Sequence, residues 1–574
     1  MIKWLLKSNK EKVIKLKKKI ESSEKMINTK WFKDAIIYQI YPISFKDSNN
    51  DGLGDIKGII SKLDYLKDLG INCVWLSPVY ESPMDDNGYD ISDYRKINPM
   101  FGTMEDFKLM IDEMHKRGIR LIMDLVANHT SDEHEWFKQS RSSVDNPYRD
   151  YYIWKKKPTN WTGFFGQKAG EYDETTGEYY LHLFGTKQPD VNWENPKVRQ
   201  EYKDIIKFYL DMGVDGFRCD VINLISKDQR FKNGRNPIIL VGKKYFINGP
   251  RLHEYLHEIN KDVLSNYDCM TVGETVLSTL EDVKLLTGES REELSMVFNF
   301  DHTSVDNFLG VKWLMRKFKL KRFKKILDKY QYGLKDEGWN SIFYENHDQR
   351  RSVGRFNTSD TDLRIESAKM LANTMYFLKG TPFIYQGQEI GMTNMQVKSL
   401  DDYVDIETKD VLKTMNKLPL TKKYKTKSIM NGSRDNSRVP MHWDSTEYAG
   451  FSEVKPWLKV NENKEFINVE EAIKDPNSIY NYYKKLIQIH KEYDLVKDGI
   501  YKDLLPKNNK IFAYERKLEN KLLLVISNFT NKEISCNILN KYKEYNKKEL
   551  LNNYNETKEG KLLPYQSILL YLEK

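Results

Sequence analysis

Eight short apolar runs punctuate the chain between Ile36 and Tyr385, and helical stretches separate most of them. They are Ile36–Pro42, Cys73–Ser77, Arg120–Val126, Gly216–Val221, Met270–Gly273, Met296–Phe300, Ser341–Tyr344 and Pro382–Tyr385. Strand–helix alternation over this length predicts an α/β fold with a parallel sheet closed on itself. That is a (β/α)8, or TIM, barrel, whose chemistry sits at the C-terminal ends of the strands. Three carboxylates fall at such ends: Asp220 in Gly216-Phe217-Arg218-Cys219-Asp220, Glu274 in Val272-Gly273-Glu274, and Asp348 in Asn346-His347-Asp348. Their agreement with the barrel pattern supports both readings.

Arg218 stands two residues before Asp220, so on a strand both side chains share one face. The guanidinium is expected to hold the carboxylate ionised by lowering its pKa. A permanently charged carboxylate at a strand end is the nucleophile that a retaining glycosidase needs. Glu274 is then the acid that protonates the departing oxygen and later activates water. It must enter protonated, so neighbouring negative charge is expected to raise its pKa. Retention also requires the two carboxyl groups about 5–5.5 Å apart.

Asp124-Leu125-Val126-Ala127-Asn128-His129, the Gly216–Asp220 run, the Glu274 strand and the Asn346–Asp348 run occur in the order of four family signatures. With Gln188-Pro189-Asp190-Val191-Asn192 they give the chain its likeness. It resembles the α-amylase superfamily of glycoside hydrolases, in its oligo-1,6-glucosidase and α-glucosidase branch, from about Trp31 to the end. The resemblance implies that Asp348 is a third carboxylate holding sugar hydroxyls. It implies that His129 and His347 donate hydrogen bonds to the reacting glucose, beside Arg218. In Gly88-Tyr89-Asp90, Tyr89 would stack on the sugar ring. Asp90 and Arg438, the latter in Arg434–Pro440, would close the pocket, so that single glucose units leave from a non-reducing end.

Between the third and fourth runs, 129–196 is too long for a plain loop and resembles the small inserted domain of that family. After about residue 500 the pattern changes to short alternating runs, such as Ile511–Tyr514 and Leu522–Phe529. They read as a C-terminal antiparallel β-domain over 501–574, leaving 30–128 and 197–500 to the barrel.

Oxygen side chains alternate through Asp47-Ser48-Asn49-Asn50-Asp51-Gly52-Leu53-Gly54-Asp55. Such spacing can wrap a hard cation, with Leu53 adding its carbonyl, although the distal bidentate Glu of an EF-hand is missing. The branch carries a calcium-type loop here. Asp47, Asn49, Asp51 and Asp55 match it, so a structural Ca2+ is expected and no organic cofactor.

Val221 follows the nucleophile, and in the family Val at that place goes with α-1,6 or α-1,1 bonds. The expected substrate is a short α-1,6-linked disaccharide or oligosaccharide such as isomaltose. The stretch Asp220–Gln229 also resembles trehalose-6-phosphate hydrolases and sucrose isomerases, which stay as alternatives. Gln349-Arg350-Arg351, Gln388 and Gly170 depart from the usual pattern and are expected at the pocket rim. A remote alternative, a non-catalytic barrel subunit, would have lost catalytic carboxylates and carried a membrane helix.

The net charge of +9 is concentrated. Residues 1–30 hold ten Lys and three Glu, which leaves +2 for the remaining 544 residues. Nothing therefore argues for a nucleic-acid surface. The segment 1–29 reads as a solvated basic extension, and residues 1–25 are expected to be dispensable. No run approaches the ~18 apolar residues of a membrane span. Cys73, Cys219, Cys269 and Cys536 are scattered, a pattern of reduced thiols that predicts a cytoplasmic protein. A monomer is favoured.

Overall fold

The computed structural model describes residues 30–235, 240–308 and 310–574. The basic extension over 1–29, with its expected dispensability, lies outside them. Eight parallel strands occupy the predicted runs, with bounds shifted by a few residues at most. They are β1 (Ile37–Ile40), β2 (Cys73–Leu76), β3 (Arg120–Val126), β4 (Gly216–Asp220), β5 (Met270–Glu274), β6 (Met296–Phe298), β7 (Ser341–Ile342) and β8 (Thr381–Tyr385). Their order is β6-β5-β4-β3-β2-β1-β8-β7. A parallel bridge from Val297 to Asn340 joins the two ends. The sheet is thus a (β/α)8 barrel.

Side-chain alternation divides the barrel interior into layers. Ile37, Cys73, Trp75, Ile122, Met270, Val272, Met296, Phe298 and Phe383 form one buried cluster. Two residues further along their strands, the same face carries Asp124, Arg218 and Glu274, with Asp220 beyond Arg218. An apolar floor therefore lies under a charged upper layer. Cys219, between Arg218 and Asp220, packs into the outer core as expected.

The helix Pro196–Met212 shows how local sequence delivers β4. The Asn195 side chain accepts from the Lys197 amide, Pro196 opens the helix, and Gly213 ends it in the left-handed region at φ 109. Val198, Tyr202, Ile205, Ile206, Tyr209 and Leu210 make its buried stripe. Where β4 begins, a Cβ on Gly216 would lie 2.1 Å from the Met270 carbonyl oxygen, so only glycine permits the approach to β5.

Between β3 and β4 the chain forms the helix Glu135–Ser142 and a small antiparallel sheet of Trp154–Lys155, Glu178–Leu181 and Gly170–Asp173. An antiparallel bridge from His129 to Asp190 pins this segment to the end of β3. The last five long strands are β9 (Ile500–Asp503), β10 (Ile511–Leu518), β11 (Lys521–Asn528), β12 (Asn546–Asn552) and β13 (Ser567–Glu573). They form an antiparallel sheet in the order β9-β10-β11-β13-β12. It meets the barrel at the buried helix Arg364–Tyr376, where Thr374 donates to Ser527 at 2.8 Å and Asn373 to Ser567 at 2.7 Å.

Candidate active site

At the C-terminal ends of β3, β4 and β5, one guanidinium organises three carboxyl groups. Arg218 Nη1 donates to Asp124 at 2.5 Å and to Asp220 at 2.7 Å, and its Nη2 donates to Glu274 at 2.5 Å. Trp75 Nε1 donates to the other Asp124 oxygen at 2.8 Å. All are buried or nearly so, which makes their charge balance decisive. Burial pushes the Glu274 carboxyl up to about 8; Arg218 opposes this, and Asp220 and Asp348 reinforce it. The raised acid expected from sequence is present, with burial the larger cause.

Asp220 corrects an expectation. Its carboxyl is pushed up to about 6 by burial, which outweighs the Arg218 guanidinium. It is ionised at neutral pH, but not through the depressed pKa that the Arg-x-Asp pattern suggested. The next residue, Val221, sits at φ 34 and ψ 40, a left-handed conformation costly for a β-branched side chain. This sharp turn aims the Val221 amide at Glu274 Oε2, 3.3 Å away.

Asp348 lies across the site, its side chain 34% exposed, the most open of the three predicted catalytic carboxyl groups. Arg438 Nη2 donates to it at 2.7 Å, and Arg434 stands 3.7 Å away. Burial alone would raise this carboxyl; His347, Arg434 and Arg438 instead hold it well below the usual range. Tyr89 stacks on His347 with centroids 5.3 Å apart, and its hydroxyl is hydrogen-bonded to His347 Nε2 at 2.8 Å. Burial lowers His347 to about 3 and His129 to about 4, so both rings are neutral at working pH. His129 Nε2 lies 3.2 Å from the Tyr89 carbonyl oxygen.

Asp90 is not at the pocket wall. Fully buried, its carboxylate accepts from the Asp85 and Asp86 amides and the Ser82 hydroxyl at 2.8–3.1 Å, so it holds the turn together. Asp86 is the carboxylate that meets Arg434: Arg434 Nη2 donates to it at 2.9 Å, and Gln188 Nε2 at 3.3 Å. Arg434 also reaches Asp405, at 2.6 Å. Sequence reasoning missed Asp86, Arg434 and Asp405, although Asp86 and Arg434 stand beside or within the motifs it quoted.

Two rim assignments also change. Arg351 is fully buried and donates to Glu345 and to the Gln386 and Ser437 carbonyls. Gln388 is buried between Tyr376 and Tyr483. Both are packing residues. Gln349 and Arg350 remain outside that core, with Arg350 on Asn431 and Asp306. Gly170 lies in the small inserted sheet.

The Asp47–Asp55 loop is closed by its own hydrogen bonds. Asp47 accepts from the amides of Asn49, Asn50 and Gly52. Asn49 donates to Asp51, and Asp51 accepts from the Leu53 amide. Asp55 accepts from Ser48 and caps the following helix at the Gly58 amide. The donor set is all hard oxygen and chemically suits calcium. Among the described residues, however, no three His, Cys, Asp or Glu groups are gathered to hold a metal ion.

Residues 39–499 match the family described as Alpha amylase, catalytic domain, and residues 511–569 match the Alpha-amylase SusG C-terminal domain. The chain belongs to the α-amylase family. An oligo-1,6-glucosidase from Parageobacillus thermoglucosidasius is 52% identical over 94% of this chain and 98% of its own length. A trehalose-6-phosphate hydrolase from Bacillus subtilis (strain 168) is 46% identical over 95% and 99%. A solved structure of the Bacillus licheniformis trehalose-6-phosphate hydrolase superposes with a TM-score of 0.91 at 44% identity, covering 95% of this chain and all of that one. This family member is a glycoside hydrolase by descent, and the site just described is where its barrel carries charge.

Proposed function

We propose that the protein is a retaining, exo-acting α-glucosidase that releases glucose from short α-1,6-linked glucosides such as isomaltose. The observation that carries this reading is the pair of carboxyl groups on adjacent strand ends held by one guanidinium, Asp220 on Arg218 Nη1 and Glu274 on Nη2. Burial pushes Asp220 up to about 6 and Glu274 up to about 8. At neutral pH an Asp220 oxygen attacks the anomeric carbon as the bond from that carbon to the leaving oxygen breaks. Glu274 passes its proton to that oxygen. The Glu274 carboxylate then takes a proton from water, the water oxygen attacks the anomeric carbon, and Asp220 is released. Asp348, Arg438, Tyr89, His347 and His129 surround the reacting glucose in this reading. The Asp86–Arg434 pair supports exo-action by bracing the far wall.

The strong likeness to oligo-1,6-glucosidases supports the α-1,6 preference, as does Val221 beside the nucleophile. Initial rates on isomaltose, maltose, sucrose, trehalose and trehalose-6-phosphate test it. Isomaltose should be fastest and release glucose with retained configuration. Faster turnover of trehalose-6-phosphate would move the assignment to the other activity named among the relatives.

We also propose a structural calcium ion in the Asp47–Asp55 loop. Its support is the oxygen donor set and spacing. Each Asp51 oxygen accepts a single hydrogen bond and keeps a lone pair, whereas both Asp47 oxygens already accept two and would have to exchange one for the ion. Four free cysteines support a reducing, cytoplasmic setting. No helix among the described residues is long and apolar enough to cross a membrane.

A further inference from the structure

Lys227 lies seven residues after Asp220 and is 2% exposed, yet it touches none of the three carboxyl groups bonded to Arg218. Its Nζ reaches Asn128 Oδ1 at 2.6 Å and Asp190 Oδ2 at 2.8 Å. Asn128 Nδ2 lies 3.2 Å from His129 Nδ1. An ammonium only donates, so it fixes which end of the Asn128 amide faces it: the oxygen must point at Lys227 and the NH2 at His129. Nδ1 of His129 must then accept, and the single proton of the neutral ring must sit on Nε2. On the other side of the ring, Nε2 faces the Tyr89 carbonyl oxygen at 3.2 Å, which can only accept. That contact demands the same tautomer. The Gln188 amide nitrogen 3.3 Å from Nε2 has a better acceptor in Asp86, and its own oxygen is held by the Gly185 amide.

We propose that Lys227 and Asn128 are positioning residues that lock His129 as the Nε2–H tautomer, so that it meets a substrate hydroxyl only as a donor. The functional half of this rests on the reading of His129 as a substrate contact. The relay itself does not. Asp190 completes the device: it pairs with Lys227 and, through its backbone bridge to His129, ties the inserted segment to the same histidine.

The test is the position of the ring proton in the free, full-length enzyme, read from long-range 1H–15N couplings of 15N-histidine. His129→Gln assigns the resonance. The wild-type proton should be on Nε2, and Asn128→Asp, whose carboxylate must accept, should move it to Nδ1. Lys227→Met should free the amide to rotate and give a mixture of tautomers. It leaves Asp190 unpaired and is the variant more prone to fold poorly, which Asn128→Asp guards against. A proton on Nδ1 in the wild type, or no change in Asn128→Asp, overturns the relay. Kinetics separate the second half. Asn128→Asp should lose about tenfold in kcat/KM on isomaltose. That loss should vanish on the one monodeoxy analogue lacking the hydroxyl that His129 meets. A shifted tautomer with unchanged rates would keep the relay and overturn the substrate contact.

Discussion

Glu274→Gln isolates the proton on which the proposed chemistry depends. With its carboxyl pushed up to about 8, Glu274 is about nine-tenths protonated at pH 7, whereas a carboxyl at 4.5 would be protonated about once in 300. The shift corresponds to roughly 5 kcal/mol of preference for the neutral form. Activity on isomaltose should therefore fall above pH 8 as Glu274 loses its proton, and below pH 6 as Asp220 gains one. The maximum lies near neutrality. In Glu274→Gln the amide cannot give a proton, so kcat/KM on isomaltose should drop by ~10²–10⁴. On a nitrophenyl α-glucoside, whose leaving group needs no proton, the first step should keep most of its rate and the alkaline limb should disappear. The acid limb of Asp220 should remain. Equal losses on both substrates, or an alkaline limb that survives in the variant, would refute the assignment.

Asp220→Asn should fold, with an unchanged melting curve within about a degree, and show no turnover, because a neutral amide forms no glycosyl intermediate. Asp86→Ala should lower kcat/KM on isomaltose by about tenfold or more through loss of the Arg434 contact. Asp90→Ala should chiefly cost stability, about 1–3 kcal/mol by chemical denaturation, because three donors lose their acceptor; the reverse pattern would restore Asp90 to the pocket. Chelation should lower Tm while leaving activity at mild temperature intact. An unshifted melt with no metal by elemental analysis retires the calcium proposal. Val221→Ala and Val221→Thr should raise the ratio of maltose to isomaltose hydrolysis, by up to ~1–3 kcal/mol of discrimination. An unchanged ratio would shift linkage preference to Gln349 and Arg350.

The barrel was legible because each buried strand is an unbroken apolar run, and the charged layer because Arg218, Asp220 and Glu274 interrupt such runs at their ends. Period-two alternation then puts Arg218 and Asp220 inside and Cys219 outside without further information. Loops obey no such period. Asp86 and Asp90 both flank Tyr89 within one turn, and only the path of that turn decides which carboxylate faces Arg434 and which satisfies backbone amides. Arg351 and Gln388 were misplaced for the same reason: a polar residue in a loop reads as exposed until a Glu345 or a Tyr376 is found waiting in the core. The Lys227–Asn128 contact joins two loops 99 residues apart and had no local signal at all.

The Arg-x-Asp pattern misleads about Asp220 because it shows neither the burial that raises the carboxyl nor the sharing of its cation. Arg218 serves three: Asp124, Asp220 and Glu274. Three buried carboxyl groups around one guanidinium cannot all ionise near neutrality, so one proton must stay among them. Asp124 and Asp220 sit near 6 and Glu274 near 8, which gives that proton to Glu274. Burial is the largest cause at Glu274, Asp220 is the stronger of the two raising charges, and a further part lies outside the trio. Asp348 remains ionised because Arg434 and Arg438 stand beside it, and its charge adds to that of Asp220 against ionisation of Glu274. Arg434 and Arg438 thus act on Glu274 through a fourth carboxylate, Asp348. Burial raises both Asp220 and Glu274, and at Glu274 the charges of Asp220 and Asp348 add to it.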